Sequence, residues 1–153
     1  MRIVVTGGAG FIGSSLVDAL LGLGHEVVAA DNLVTGRLEF LESARSSDLF
    51  TLVEGDLRDV STVEQAVDGA DAVVHLAANA DVRFGWDEPR LDLEQNVVVT
   101  QNVLESMRRA GVRRLLFSST GSVYGESTTI PTPEDAPFPL QTSLYAASKV
   151  AAE

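Results

Sequence analysis

Short apolar runs alternate along the chain with longer segments whose apolar residues recur at helical spacing. The runs are continuous, which predicts strands buried on both faces, and they occupy residues 2–5, 26–30, 50–53, 72–76 and 113–117. Helical patterns cover residues 11–23, 62–67 and 91–109, and a last helix begins near residue 142. Ser61 and Glu64 have the spacing of a capping box at the start of the second helix.

Strands that alternate with helices predict an α/β fold whose parallel sheet is covered by helices on both faces. Right-handed crossovers give a doubly wound sheet with the strand order 3-2-1-4-5. Such a sheet binds ligands in a crevice at the carboxyl ends of its strands. The residues at those predicted ends are Thr6, Asp31, Asp56, Ala77 and Thr120. We therefore expect a cofactor site along this edge.

A glycine-rich turn follows the first predicted strand and opens the first predicted helix. In the stretch TGGAGFIG, Gly8, Gly10 and Gly13 have GxGxxG spacing, and Gly7, Gly10 and Gly13 have GxxGxxG spacing. Without side chains, the backbone allows the pyrophosphate of a dinucleotide to approach closely, and the helix start offers unpaired N–H groups. The alternative is a turn that only packs a helix on a strand. The strand before it and the helix after it favour the phosphate site.

An acidic residue ends the second predicted strand. Asp31 lies 23 positions after Gly8, near the spacing at which a carboxylate meets the ribose hydroxyls of adenosine. Asp31 followed by Asn32 favours NAD over NADP, because a carboxylate repels a 2′-phosphate. Arg37 is the nearby residue that would favour the phosphate. Asp56, after the third strand, is a candidate acceptor for the adenine amino group, with an ordinary strand-end turn as the alternative.

A tyrosine and a lysine stand four residues apart in the last predicted helix. This spacing puts Tyr145 and Lys149 on one helix face. An ammonium group near a phenol stabilises the phenolate, which makes the tyrosine a usable general base. Thr120, at the end of the fifth strand, is placed to hold the reacting oxygen. The alternative is a surface pair on an alanine-rich helix, and His75, within the fourth strand, is expected to be a core residue.

Composition narrows the classes of partner. The 153 residues include 22 acidic and 11 basic side chains, and the formal net charge of -11 disfavours binding to nucleic acid or to an anionic membrane. The absence of cysteine excludes disulfides, cysteine-ligated zinc and thiol catalysis, and with two histidines we expect no metal site. No signal peptide or membrane span is visible, so a cytoplasmic location is the default expectation.

Several motifs resemble, in order and spacing, those of the extended short-chain dehydrogenase/reductases. Within them the chain resembles the sugar-nucleotide epimerases of the UDP-glucose and UDP-glucuronate 4-epimerase kind. The resemblance covers the whole chain, is specific for the superfamily and is less specific for the substrate. The motifs are TGGAGFIG, Asp31-Asn32, Gly55-Asp56-Leu57, His75-Leu76-Ala77-Ala78, the run SSTGSVYG over residues 118–125, and YAASK over residues 145–149.

The resemblance implies a Rossmann fold with tightly held NAD. It implies that Phe11 and Ile12 contact the pyrophosphate, that Asp31 and Asn32 contact the adenosine ribose, and that Asp56 and Leu57 contact the adenine. The remaining implied cofactor contacts are Gly7, Gly10, Gly13, Thr35, Gly36, Leu76, Ala77, Ala78, Ala80, Asn96, Tyr145 and Lys149.

The resemblance also implies a catalytic set of Thr120, Tyr145 and Lys149. Tyr145 takes the proton from the sugar C4 hydroxyl while hydride passes to NAD, the 4-keto sugar turns over, and hydride returns to its other face. Dehydratases of this kind carry Asp-Glu after the threonine, and related decarboxylases carry a glutamate two positions after it. Gly121 and Ser122 stand there instead, which favours epimerisation. Arg83 and Ser122 are candidate substrate contacts, and a solvated surface arginine is the alternative for Arg83.

Two features depart from the family pattern. Residues 96–100 read NVVVT where relatives usually read NVxGT, so Val99 occupies the glycine position. Relatives also continue into a carboxyl-terminal half that binds the uridine nucleotide and form homodimers. We therefore interpret residues 1–153 as an NAD-binding domain that ends within the Tyr–Lys helix and binds NAD better than it turns over substrate. The rival interpretations are a same-fold dehydratase, reductase or dehydrogenase, and a non-catalytic NAD-binding protein.

Overall fold

Five short strands form one parallel sheet in the order β3-β2-β1-β4-β5. The computed structural model describes residues 1–79, 81 and 83–153. The strands are β1 (Arg2–Thr6), β2 (Glu26–Asp31), β3 (Phe50–Glu54), β4 (Ala72–His75) and β5 (Leu115–Phe117). The helices are α1 (Phe11–Gly22), α2 (Val60–Val67), α3 (Phe84–Asp87), α4 (Pro89–Asp92), α5 (Val99–Ala110) and α6 (Leu144–Ala152). The predicted α/β fold and its strand order are confirmed.

The central strands β2, β1 and β4 are largely buried because they carry few polar side chains. The edge strand β5 departs from the sequence expectation, since Leu115 and Leu116 are 37% and 59% exposed. Successive residues of a strand point to opposite faces, so Val4 joins one apolar cluster and Val5 joins the other. The first cluster includes side chains from α2 and α5, and the second includes side chains from α1. The carboxyl ends of the strands therefore stand on a rigid core.

The chain divides into two compact units. The first consists of Met1–Ala77 and Val99–Ser118 and contains the whole sheet with α1, α2 and α5. The second consists of Ala78–Val98 and Ser119–Glu153. Within the second unit, α6 packs against α3, α4, the π-helical segment Leu93–Val98 and the 3₁₀ turn Gly121–Tyr124.

Two helix starts differ from the sequence expectation. Asp59, and not Ser61, caps α2, because its carboxylate accepts the N–H of Ser61 at 2.9 Å. Glu64, the other half of the predicted box, instead forms an ion pair with Arg109 at 3.0 Å. The helix expected from residue 91 begins at Pro89, which suits the first turn because it needs no N–H there. In the described part of the chain, no helix has the length and apolarity needed to cross a membrane.

Candidate functional site

The glycine-rich turn has a shape that only glycine permits. Gly7 has a φ of +68°, and a Cβ there would lie 2.9 Å from the backbone nitrogen of Ala77. A Cβ on Gly13 would overlap the carbonyl oxygen of Gly7, and one on Gly8 would lie 2.6 Å from the Cβ of Ala29. The turn is thus pressed onto β2 and β4 while its outer side stays free of side chains.

The start of α1 is uncapped. Gly10 stands at the N-cap without a side-chain hydrogen bond, and the first turn carries no acidic residue. Phe11 and Ile12, the first two helical residues, are 83% and 65% exposed. Backbone N–H groups and the positive end of the helix dipole are therefore available to an anion. These are the properties of a pyrophosphate site.

Asp31 ties the loop after β2 to the glycine-rich turn. The buried carboxylate accepts the N–H of Ala9 with Oδ2 and the N–H of Leu33 with Oδ1, each at 2.9 Å. A Cβ on Gly36 would lie 2.7 Å from Asp31 Oδ1, so the loop returns directly over the carboxylate. Each carboxylate oxygen retains acceptor capacity for a further donor such as a ribose hydroxyl. Thr35 is exposed, and Asn32 accepts the N–H of Val34 at 3.1 Å.

Asp56 shares its carboxylate with Arg58. The Nη2 of Arg58 lies 2.7 Å from Asp56 Oδ2, and its Nε lies 3.1 Å and 3.0 Å from the two oxygens. The hydrogen bonds from Arg58 hold the pKa of the Asp56 carboxyl below its usual range. Asp56 is therefore an ionised acceptor at neutral pH. The side chain of the neighbouring Leu57 is buried in the core, so a contact of this residue with the adenine would be made by its backbone.

The end of β4 lies against the end of β1. The N–H groups of Leu76 and Ala77 donate to Thr6 Oγ1 at 3.1 Å and 3.2 Å. Ala77 is also the backbone that meets Gly7. The strand end thus buttresses the glycine-rich turn. Ala78 belongs to the second unit, and Ala80, another predicted contact, lies outside the described residues.

In the second unit, α6 brings its residues next to the turn that follows Thr120. The Thr120 hydroxyl accepts the N–H of Ser122 and donates to Ser122 Oγ, both at 3.2 Å, and so caps the turn Gly121–Tyr124. The side chain of Ser143 caps α6 by accepting the N–H of Ala146 at 3.1 Å. Two predicted catalytic elements, the threonine turn and the tyrosine helix, are therefore packed together in one unit.

Lys149 is buried and is the single lysine of the 153 residues. Only 4% of its surface is exposed, and this burial lowers the pKa of its ammonium group. Tyr145, one turn earlier, is half-buried. Apart from Lys149 and the histidines, all basic side chains of the 153 residues are arginines. A surface pair on an alanine-rich helix, the alternative considered from the sequence, does not describe these two residues.

Arg83 forms an ion pair with a neighbouring carboxylate through two of its guanidinium nitrogens. Its Nε and Nη2 lie 2.8 Å and 2.5 Å from the carboxylate oxygens of Asp81, and its backbone N–H donates to the same group at 3.0 Å. Arg83 lowers the pKa of Asp81 to about 2 through these hydrogen bonds. Both side chains stay ionised on the surface, and the negative charge of Asp81 compensates the positive charge of Arg83.

Sequence reasoning missed a buried polar group around Asn96. The Asn96 carboxamide contacts Asn79, Asp92 and Ser148. The i, i+4 spacing of Asp92 and Asn96 was visible on the predicted helix. The contacts with Asn79 and Ser148 join distant parts of the sequence, so no local pattern pointed to them.

Comparison with known proteins identifies the relatives of the chain. Residues 3–153 match the NAD dependent epimerase/dehydratase family. The UDP-glucose 4-epimerase of Mycolicibacterium smegmatis is 46% identical over 155 residues, which cover 100% of this chain and 49% of that protein. The chain thus spans about half the length of the curated relatives it matches.

Solved structures agree with this match. A UDP-glucose 4-epimerase from Thermus thermophilus in complex with NAD is 41% identical with a TM-score of 0.87, covering 99% of this chain and 48% of that one. A dTDP-glucose 4,6-dehydratase from Streptomyces venezuelae with NAD bound is 36% identical with a TM-score of 0.92, covering 99% and 49%. The chain therefore belongs to the NAD dependent epimerase/dehydratase family.

Proposed function

We propose that this chain is the NAD-binding and proton-transfer part of a sugar-nucleotide 4-epimerase that acts on a UDP-hexose or UDP-hexuronate. The observation that carries the proposal is the buried, single Lys149 one turn from Tyr145 on a helix packed against the turn after Thr120. A buried ammonium group is unfavourable unless it does chemical or structural work. In the proposed chemistry, that work is to stabilise the phenolate of Tyr145, which acts as the general base.

The first unit has the features that NAD requires. The glycine-rich turn leaves room for a pyrophosphate, the start of α1 is uncapped, and the Asp31 carboxylate can accept ribose hydroxyls. The proposed contacts are Gly7, Gly10, Phe11, Ile12, Gly13, Asp31, Asn32, Thr35, Gly36, Asp56, Leu57, Leu76 and Ala77. Bound NAD supplies a hydride acceptor that later returns the same hydride.

The chain's own residues supply the proton chemistry. Tyr145 removes the proton from the C4 hydroxyl of the sugar as hydride leaves C4, and it returns the proton when hydride is delivered to the opposite face of the 4-keto sugar. Lys149 favours the phenolate by its positive charge. Thr120, already a donor to Ser122, holds the reacting oxygen in this proposal, with Ser122 and Arg83 as further substrate contacts. No net oxidation occurs, so the cofactor stays bound.

The turn after Thr120 favours epimerisation over dehydration. Elimination of water from a 4-keto sugar needs an acid and a base beside the sugar. Gly121 and Ser122 offer neither near neutral pH, and Ser122 is occupied by Thr120. A non-catalytic NAD-binding protein needs no proton-transfer set, so the presence of Thr120, Tyr145 and Lys149 together argues against that rival. A reductase or dehydrogenase is the remaining rival, and it would exchange its cofactor.

A direct activity assay on the full-length protein tests the proposal. UDP-glucose and UDP-glucuronate are incubated separately with purified protein and no added cofactor, and C4 epimers are detected by NMR. We expect an epimer from one of the sugars and no accumulation of NADH. Lack of an epimer from both sugars, or steady formation of NADH, would contradict the proposal.

Tyr145→Phe and Tyr124→Phe form a matched pair, because the segment has two tyrosines. Tyr124 donates its hydroxyl to the carbonyl of Glu134 and has no part in the proposed chemistry. We expect Tyr145→Phe to lose about 10²- to 10⁴-fold in kcat while it retains NAD, and Tyr124→Phe to stay near the parent rate. Native mass spectrometry of the same samples tests the homodimer that the family resemblance suggests.

A further inference from the structure

A buried carboxylate in the second unit is not used by the proposed chemistry. Asp92, at the end of α4, is 1% exposed. Its Oδ1 accepts hydrogen bonds from the side-chain amides of Asn79 at 2.8 Å and Asn96 at 3.3 Å. Its Oδ2 has no hydrogen-bond partner within the described residues. Burial of a carboxylate with one oxygen unsatisfied is unfavourable. Stability alone therefore does not explain why an aspartate occupies this position, and the groups around the carboxylate indicate a further role.

That role is to orient the Asn96 carboxamide. A carboxylate only accepts hydrogen bonds, so Asn96 must turn its NH₂ group toward Asp92. The Asn96 oxygen then accepts the backbone N–H of Asn79 at 2.8 Å. The second N–H of Asn96 is left for Ser148 Oγ, at 2.8 Å. All three polar positions of the Asn96 amide are thus occupied, and a flipped amide would face Asp92 with its oxygen.

Ser148 passes this orientation to α6. Its hydroxyl donates to the carbonyl oxygen of Tyr145 at 2.7 Å, so its lone pair is free to accept from Asn96. The chain Asp92, Asn96, Ser148 and Tyr145 therefore ends on the turn of α6 that also carries Lys149. Asn96 lies in the π-helical segment Leu93–Val98, a distortion that is frequent at functional sites.

The backbone of α3 holds the carboxylate from the other side. A Cβ on Gly85 would overlap Asp92 Oδ2, so no other residue type fits at position 85 without moving Asp92. Gly85 therefore leaves the space that Oδ2 occupies, and a side chain at position 85 would displace the carboxylate from its place beside Asn96.

We propose that Asp92 is a positioning residue for proton transfer. It orients the Asn96 amide, and Asn96 in turn holds α6 in place through Ser148. The position of α6 sets the placement of Tyr145 and Lys149. This inference rests on the proposed epimerase function. Its effect is on the rate of the chemical step and not on substrate affinity.

Three variants of the full-length protein test the inference. Asp92→Ala removes the acceptor, Asp92→Asn keeps an acceptor oxygen in the same place, and Ser148→Ala breaks the link to α6. We expect Asp92→Ala to lower kcat by about 10- to 100-fold, the size expected for a small misplacement of a catalytic group, with the KM for the sugar nucleotide unchanged. Asp92→Asn should recover most of this loss.

A double-mutant cycle and an exchange measurement complete the test. If Asp92 acts through Ser148, the Asp92→Ala and Ser148→Ala losses in kcat do not multiply. Hydrogen–deuterium exchange of residues 144–152 should also accelerate in Asp92→Ala, while exchange of residues 11–22 stays unchanged. Multiplying losses, equal losses in Asp92→Ala and Asp92→Asn, or unchanged exchange in α6 would each overturn the inference. An inactive parent protein would overturn the proposed function instead, and the exchange result would still judge the role of Asp92.

Discussion

Thr6 Oγ1 and His75 Nδ1 lie 2.6 Å apart in the interior of the first unit. Thr6 Oγ1 already accepts the N–H groups of Leu76 and Ala77, so its own proton is donated to His75 Nδ1. The other ring nitrogen, Nε2, lies 3.1 Å from Thr100 Oγ1. One threonine hydroxyl therefore joins β1, the end of β4 and, through the histidine, α5.

Thr6→Val should destabilise the chain more than Thr100→Val. Loss of the Thr6 hydroxyl removes the acceptor of two backbone N–H groups and the hydrogen bond to His75 Nδ1, for which we expect a loss of about 1–3 kcal/mol in the free energy of unfolding. Thr100→Val removes a single partner of Nε2 and should cost less. Chemical denaturation of both variants checks the order. Equal losses would mean that the Thr6 bonds add nothing to those of an ordinary buried threonine.

Gly13→Ala should damage both the turn and its affinity for NAD. The added Cβ overlaps the Gly7 carbonyl, and the resulting strain should cost about 1–3 kcal/mol. Gly22→Ala is the matched control on the same helix, because no atom lies within 4 Å of the added Cβ. We expect Gly22→Ala to raise stability by about 0.4–1 kcal/mol and to leave NAD binding unchanged. Thermal unfolding and the NAD content of purified protein report the two effects, and normal NAD content in Gly13→Ala would contradict the assigned role of the turn.

Val99→Gly, which restores the family's usual residue, should destabilise this chain. Val99 is buried in the core cluster that includes Val4, Val73 and Val103. Removal of its methyl groups should cost about 1.5–3 kcal/mol, and glycine adds about 1 kcal/mol relative to alanine in a helix. Urea denaturation of Val99→Ala and Val99→Gly separates these contributions. A gain in stability in Val99→Gly would contradict this prediction, because it would mean that packing of the valine side chain does not stabilise the core.

Lys149 should make the stability of the chain depend on alkaline pH. Burial lowers its pKa in the folded chain below the ordinary value of 10.5, so between these two pKa values the unfolded chain binds the extra proton. The contribution of Lys149 to the free energy of unfolding is therefore least favourable below the folded pKa and rises toward pH 10.5. The stability difference between the parent chain and Lys149→Met should move in favour of the parent over that window.

Denaturation curves at several pH values from about 7 to 10.5 measure this difference. Ala147→Met, on an exposed position of α6, is the matched control and should keep the parent pH dependence. A stability difference between the parent and Lys149→Met that stays constant with pH would contradict the lowered pKa.

The fold could be predicted because its central strands contain continuous apolar runs, whereas its helices carry apolar residues on one face. Runs such as residues 26–30 and 72–76 can be satisfied only by a sheet covered on both faces, and the crossover rule then fixes the strand order. The prediction that Ser61 caps α2 was wrong, because Asp59 and Ser61 are both good N-cap residues and the local sequence does not rank them. Residues 84–87, which lie outside every predicted helix, form the short helix α3.

The candidate site was predictable where its chemistry is local and not where it is formed by distant residues. The glycine-rich turn and the Tyr145–Lys149 spacing are visible in short stretches. The bond between Thr6 and His75 and the bond between Asn96 and Ser148 join residues 69 and 52 positions apart, which no periodicity records. The π-helical turn that carries Asn96 is likewise a result of packing, since residues 93–98 read as an ordinary amphipathic helix.

The position of the single lysine also makes this segment easy to follow by chemical labelling. Apart from the amino terminus, Lys149 is the one primary amine of the 153 residues, and in the native state it is shielded from solvent. An amine-directed reagent can modify it only when the structure around it opens locally. The rate of labelling therefore reads out the free energy of that opening at the proposed catalytic helix, without any engineered probe.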